Sequence, residues 1–217
     1  MVERRVSGVG VLDKAADVLA ALEAGPLSLG ELVAATGVPR ATAHRLAVAL
    51  ESHGLVRRDD EGRFALGLRL VALGRAAREA LPIAAAATPA LERLRDETGE
   101  SAQLYVREDG RRVCVLSLES PHGLRTIVPV GASLPLGVGS AGRILGGEDV
   151  GRRGWVESVE EREAGVASVS APVHAPGGEV VAAVGVSGPV NRTTRQPGRR
   201  YGDAVAAAAR AVERALG

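Results

Sequence analysis

The stretch from Leu27 to Gly54 constrains this chain more than any other, because it holds two helical patterns separated by only Gly37-Val38-Pro39. Ser28-Leu29-Gly30-Glu31 is a Ser-x-x-Glu capping box. In it the Ser28 hydroxyl accepts from the Glu31 amide, and the Glu31 carboxylate accepts from the Ser28 amide. Leu27 and Leu32 stand where a hydrophobic staple fixes the entry angle. The helix so started is short and ends before Gly37. Pro39 fits the first turn of the next helix, where its missing N–H leaves no bond unmade. That helix runs to about Ser52 and stops near Gly54. Ala43, Leu46, Ala47 and Leu50 share one of its faces, while Arg40, Ala41, His44, Arg45 and Val48 share another.

Two helices joined by a tight turn, the second longer and with a polar face left over, are the sequence image of a helix-turn-helix. A helix enters the major groove only if one side packs on its domain and the other is free. Arg40 and Arg45 lie near the start of the second helix, and arginine can bond both acceptors of a guanine edge. Thr42 and His44 are short enough to reach bases or phosphates. Upstream, Asp13 is placed to cap a first helix reaching about Glu23, with Val18, Leu19 and Leu22 on one face and Gly25 just past its end. Downstream, Leu55 to Leu66 alternates weakly around Asp59-Asp60-Glu61-Gly62 and reads as a hairpin, the wing. Arg57, Arg58 and Arg63 on it could hold phosphates or reach into the minor groove. Ser28 and Ala41 complete the candidate DNA contacts. An exposed arginine alone is ordinary solvated surface, and the acidic wing tip works against simple electrostatics. The order of the features, from capping box to wing, carries the reading.

The remainder reads as α+β. Leu68 to Leu81 is an amphipathic helix interrupted by Pro82, and Ala84 to Thr98 is helical again, with Leu91 and Leu94 on its inner side. Strands are expected over Ala102–Arg107, Val113–Leu118, Leu124–Val130, Val166–Val173 and Glu179–Ser187. A short helix is expected over Ser140–Leu145 and a closing one over Asp203–Leu216. With 217 residues, 46% of them hydrophobic, the chain can bury a core without disulfides or metals. Aromatics are 2%, so Leu, Val and Ala must fill that core. The net charge of +1 says nothing about nucleic acid, so a DNA-binding reading must rest on local geometry.

Cys114 is the only cysteine. It excludes an intrachain disulfide, fits a reducing cytoplasm and reads as buried packing in an apolar run. No apolar stretch is long enough for a transmembrane helix, and Met1 to Gly10 lack the apolar core of a signal peptide. His44, His53, His122 and His174 show no metal spacing, so neither metal nor cofactor is expected. An enzyme using Ser140 or Cys114 finds no Ser-His-acid set, Gly-x-Ser-x-Gly elbow or phosphate loop to support it. A pure protein-interaction module is the remaining alternative.

Val11–Ala15, Leu32–Leu46 and Gly62–Gly67 closely resemble the IclR-type transcriptional regulators. The likeness continues through Thr98-Gly99-Glu100, Val130-Gly131, Leu134-Pro135-Leu136, Ala171-Pro172-Val173 and Val186-Ser187-Gly188-Pro189. Three stretches, Gly99–Tyr105, Arg153–Trp155 and Glu161–Val173, are similar to the actinobacterial NdgR or LtbR type, which regulates leucine and other amino-acid biosynthesis. Control of a catabolic operon for a small organic acid is the alternative. The resemblance implies a winged helix-turn-helix over residues 1–67, a linker helix over 68–81, and over 82–217 a GAF-like effector-binding domain with a mixed or antiparallel sheet. It implies a homodimer or tetramer on palindromic double-stranded DNA and an amino acid or small carboxylate as effector. It places the effector pocket at Gly123, Leu124, Ser140, Ala141, Pro172, Gly185 and Ser187, with the Ser140 and Ala141 amides available to a carboxylate. Many family members have polar side chains where Pro172 and Gly185 stand, and about two dozen more residues between Gly147 and Arg152. Trp155 is expected to pack in the core or to cover the pocket. The abrupt join at Gly146–Gly151 points to a mobile stretch left out of this chain, a true deletion being the alternative.

Overall fold

A computed structural model describes residues 7–217, so the first six residues of the expected DNA-binding domain lie outside the described residues. The chain divides into two compact units between Ala77 and Arg78.

The N-terminal unit holds α1 (Gly10–Ala21), extended by one tighter turn at Leu22–Ala24, then α2 (Leu29–Thr36) and α3 (Arg40–Ser52). The antiparallel pair β1 (Val56–Arg58) and β2 (Phe64–Leu66) follows, and Leu27 adds a bridge to Phe64. Val18, Leu22, Leu32, Ala47, Leu50, Val56 and Phe64 form its core. The capping box at the start of α2 is made: the Ser28 amide donates to Glu31 Oε2 (2.7 Å) and the Glu31 amide to Ser28 Oγ (3.3 Å). Gly37 closes α2 at φ +67°, a backbone conformation in which a side chain would be strained. The Thr36 hydroxyl donates to the Leu32 carbonyl (2.7 Å) and accepts from the Val38 amide (3.2 Å), which pins the turn to α3. Two expectations need correction. Asp13 does not cap α1 but sits in its first turn, with Oδ1 accepting from the Ser7 amide (2.8 Å). Pro39 stands one residue before α3, its carbonyl accepting from the Ala43 amide (2.9 Å). Next comes α4 (Arg69–Glu79), which buries no residue.

α4 stops short of Pro82, and the C-terminal unit begins with α5 (Pro82–Thr98), which Pro82 opens two residues before the expected Ala84. The other elements are β3 (Ser101–Glu108), β4 (Arg111–Leu118), β5 (Ser133–Pro135), α6 (Ser140–Leu145), β6 (Val156–Val159), β7 (Val166–His174), β8 (Val180–Pro189), α7 (Val190–Thr193) and α8 (Pro197–Leu216). All strand pairs are antiparallel, in the order β5-β4-β3-β8-β7-β6. Strand period two sorts the faces. Ala102 and Leu104 of β3, Val169, Ala171 and Val173 of β7, and Val184 and Val186 of β8 pack with Leu91 and Leu94 of α5 and Val205, Ala209 and Val212 of α8. Tyr105, Cys114 and Ala183 form a second core with Ile144 and Leu145 of α6.

Leu124–Val130 is not a strand. The outer edge of β4 is taken instead by β5, and Pro129 brings no amide to a ladder. The short strands β5 and β6 were not expected, and α8 starts six residues before Asp203 because Pro197 opens it. The full sequence runs from Gly146 to Arg152 without interruption, so the short join belongs to the chain itself. The Gly147 amide donates to the Ile144 carbonyl (2.9 Å), Arg143 pairs with Glu148 (2.6 Å), and the Gly151 amide donates to Asp149 Oδ1 (2.8 Å). Trp155 lies against α8 where Gly198 and Gly202 leave room; a Cβ at either would collide with the indole. The Arg153 guanidinium carbon lies 5.5 Å from the centre of the ring.

Candidate DNA-reading face and effector cavity

In α3 the helical period divides the side chains cleanly. Ala43 and Ala47 are fully buried, while Arg40, Ala41, His44, Arg45 and Val48 are exposed and Thr42 is half-buried. Arg40, His44 and Arg45 form no ion pair or side-chain hydrogen bond among the described residues. Ser28 is half-buried at the start of α2, with its hydroxyl committed to the cap. The wing arginines divide. Arg57 is exposed and without a partner among the described residues. Arg58 lies 4.3 Å from the centre of the Phe64 ring, donates to the Gly62 carbonyl (3.0 Å) and approaches Glu51 (3.5 Å). Arg63 donates from Nε to Asp59 Oδ2 (2.8 Å) and approaches Glu61 (3.4 Å). The acidic tip is therefore architecture: Asp59 Oδ1 also accepts from the amides of Glu61 (3.0 Å) and Arg63 (2.8 Å). Desolvation alone would raise the Asp59 carboxyl, yet the amide and guanidinium of Arg63 hold it below the usual carboxylate range.

In the C-terminal unit a cavity of about 30 Å³ lies on the sheet face away from α5 and α8, among Gln103, Tyr105, Arg112, Ser140, Ser168 and Ser170, with Ala141, Arg162 and Ser187 also on its wall. Ser140 Oγ lies 2.8 Å from both Ser168 Oγ and Ser170 Oγ. Ser187 Oγ donates to Gln103 Oε1 (3.1 Å). Gln103 Nε2 and Arg112 Nε are buried without a partner. Arg112, 3% exposed, lies 5.2 Å from the Tyr105 ring centre and has no ion-pair partner among the described residues. Burial pulls its guanidinium below the usual range and pushes the Tyr105 hydroxyl well above its own. Burial likewise pushes the Cys114 thiol up to about 12, so it stays protonated at neutral pH.

The structure brings Ser140, Ala141 and Ser187 to this wall and leaves four expected residues off it. Gly123 and Leu124 lie on an exposed stretch, Leu124 being 65% exposed. Pro172 is on β7 past the end of β6, where its missing amide leaves no ladder bond unmade. Gly185 sits behind Ser170, whose hydroxyl a Cβ there would strike. Sequence reasoning missed Gln103, Tyr105, Arg112, Ser168 and Ser170. The alternation Ser101-Ala102-Gln103-Leu104-Tyr105 and Ser168-Val169-Ser170 was the available signal, since period two places the polar members on one face.

Residues 11–60 match the IclR helix-turn-helix domain, and residues 75–146 and 148–214 match the bacterial transcriptional regulator IclR C-terminal domain. The chain belongs to the IclR family. Like the named members of this IclR family, it is a DNA-binding transcriptional regulator rather than an enzyme. The chain is 30% identical over 243 residues to the glycerol operon regulatory protein of Streptomyces griseus, covering 95% of this chain and 96% of that one. A shorter match to the transcriptional regulator KipR of Bacillus subtilis, 33% identical over 119 residues, covers 55% of this chain and 48% of that one. An IclR regulator from Alicyclobacillus acidocaldarius has the same fold, with a TM-score of 0.84, 24% identity and 96% and 99% of the two chains covered. An IclR homolog from Microbacterium hydrocarbonoxydans, solved in complex with 4-hydroxybenzoate, is similar at a TM-score of 0.81, with 20% identity and 95% and 98% covered. No helix among the described residues is long and apolar enough to cross a membrane.

Proposed function

We propose that this IclR-family chain is a cytoplasmic, effector-responsive regulator of amino-acid biosynthesis genes that reads its operator with α3. Residues 1–67 bind DNA, 68–81 link, and 82–217 bind the effector and oligomerise. One observation carries the DNA reading: α3 turns Arg40, His44 and Arg45 to solvent while Ala43 and Ala47 are sealed in the core. Arg45 and Arg40 take base edges, Thr42 and His44 bases or phosphates, and Arg57 a phosphate. Arg58 and Arg63 act chiefly by shaping the wing, and Ser28 by seating α2.

Effector binding at the cavity shifts the population between conformations that grip the operator differently. A solved relative that holds 4-hydroxybenzoate supports a small-molecule effector. Exposed apolar residues on α1 (Val11 60%, Leu12 61%) and on α4 (Val71 70%) favour self-association, which a palindromic operator requires. The biosynthetic assignment draws support from the resemblance of Gly99–Tyr105 and Glu161–Val173 to the amino-acid regulators. The glycerol operon relative favours a catabolic operon as the second reading.

The experiment is genome-wide mapping of bound sites, followed by gel retention on the recovered operators. Arg45→Ala is expected to weaken retention roughly 5- to 150-fold and to relax base preference, as loss of a bidentate base contact does. Unchanged affinity and preference would remove α3 from the reading role. Sites beside amino-acid biosynthesis genes are the expected result, and sites confined to glycerol or organic-acid operons would move the assignment to the second reading.

A further inference from the structure

We propose, on the reading that α3 enters an operator of two half-sites, that Arg69 is a positioning residue for it. Arg69 ties the end of α3 to the first turn of α4, and through that tie the protein discriminates the spacing between half-sites. Only Gly67 and Leu68 separate the end of β2 from the start of α4. Two such residues, left to themselves, are a swivel. The bonds around them remove that freedom.

A helix leaves its last carbonyls without partners inside the helix. At the end of α3 the Glu51 carbonyl accepts from the Gly54 amide (2.9 Å) and the Leu50 carbonyl from the Leu55 amide (3.0 Å), with Gly54 at φ +70°. The carbonyls of His53 and Gly54, just past the last turn, both go to one residue. Arg69 Nη1 donates to the His53 carbonyl (3.1 Å), and the Arg69 amide donates to the Gly54 carbonyl (3.3 Å). The guanidinium also sets a positive charge at the end of α3 where the helix dipole is negative.

Gly67 holds the other side of the joint. It is buried, and its amide donates to the Leu55 carbonyl (2.8 Å). A Cβ there would strike the Gly54 carbonyl oxygen, so the two segments pass backbone against backbone. α4 buries no residue, so packing does little to fix its first turn and the bonds to the end of α3 do so instead.

The consequence falls on operator geometry. One base pair inserted between half-sites moves the second by about 3.4 Å along the duplex and by about 35° around it. A reading helix fixed to its linker cannot follow that change, whereas one on a swivel can. Arg69 is exposed, so a direct bond to a phosphate is the competing role for it. That role would strengthen binding to a single half-site as much as to a pair.

The test is gel retention of the full chain on three kinds of duplex made from a mapped operator. These are the native site, the site with one base pair added or removed between half-sites, and one half-site alone. The wild type is expected to lose about tenfold or more in affinity when the spacing changes. Arg69→Ala is expected to cut that loss to about threefold or less and to keep half-site affinity within about twofold of the wild type. An undiminished spacing penalty in Arg69→Ala, equal weakening on all three duplexes, or a wild type indifferent to spacing would each overturn the proposal. Arg45→Ala acts on the half-site itself, so failure of the reading role of α3 is distinguishable from failure of the tie.

Discussion

At the scale of single residues, the cavity wall depends on side chains that are absent as much as on those present. Gly185 pairs with Ser170 across β7 and β8, and a methyl group on it would strike Ser170 Oγ and press on the Val169 carbonyl. Ser170 could then no longer hold Ser140 at 2.8 Å. Gly185→Ala is therefore expected to cost about 1–3 kcal/mol, the usual penalty of overpacking a closed site, measured by urea unfolding. It should also disturb ligand binding more than a surface substitution of equal cost. Cys114 gives a second prediction. It is fully buried, and desolvation keeps its thiol protonated at pH 8. A thiol reagent should leave the folded protein unlabelled and react fully once denaturant opens the C-terminal unit. Prompt labelling of the native protein would show that this core opens readily.

At the scale of elements, the wing separates two kinds of arginine that composition cannot tell apart. Arg57→Ala should leave stability unchanged and lower the salt dependence of operator binding by about one phosphate contact. Arg58→Ala should instead lower stability by about 0.5–1 kcal/mol through loss of its stack on Phe64, with unfolding midpoint and salt slope as the two readouts. The helix-turn-helix was legible because its signals are local: the Ser28–Glu31 box, Gly37 at positive φ and the apolar stripe of α3 each act within a few residues. The sheet was less so. Leu124–Val130 has the apolar residues of a strand but no edge to pair with, and a strand exists only where another supplies its bonds. Ser133–Pro135 pairs because β4 is beside it, a long-range fact that the three residues do not carry. The same limit hid Arg112. Its number in the chain gives no hint of burial, which comes from Gly139 and Gly142 of a segment some thirty residues downstream packing close to it.

At the scale of the whole molecule, the chain is two separately cored units joined through α4, whose residues are nearly all exposed. A helix with no buried side chain has little to hold it against local opening. Limited trypsin digestion is expected to cut first at Arg75 or Arg78 and to release a C-terminal fragment that still unfolds cooperatively and still binds ligand. First cleavage inside β3–β8 would instead show that the sheet is the weaker part. If the α1 and α4 surfaces associate as proposed, Leu12→Glu or Val71→Glu should lower the mass in solution, measured by sedimentation.

The seat of Trp155 against the two glycines of α8 has a practical consequence. It is the one tryptophan in the chain, and both tyrosines, Tyr105 and Tyr201, lie in the same unit. The DNA-binding unit is thus silent in intrinsic fluorescence while contributing fully to far-ultraviolet dichroism. Emission follows one half of the protein and ellipticity follows both, so any gap between the two melting curves measures directly how strongly the halves are coupled, and how far ligand or operator closes that gap.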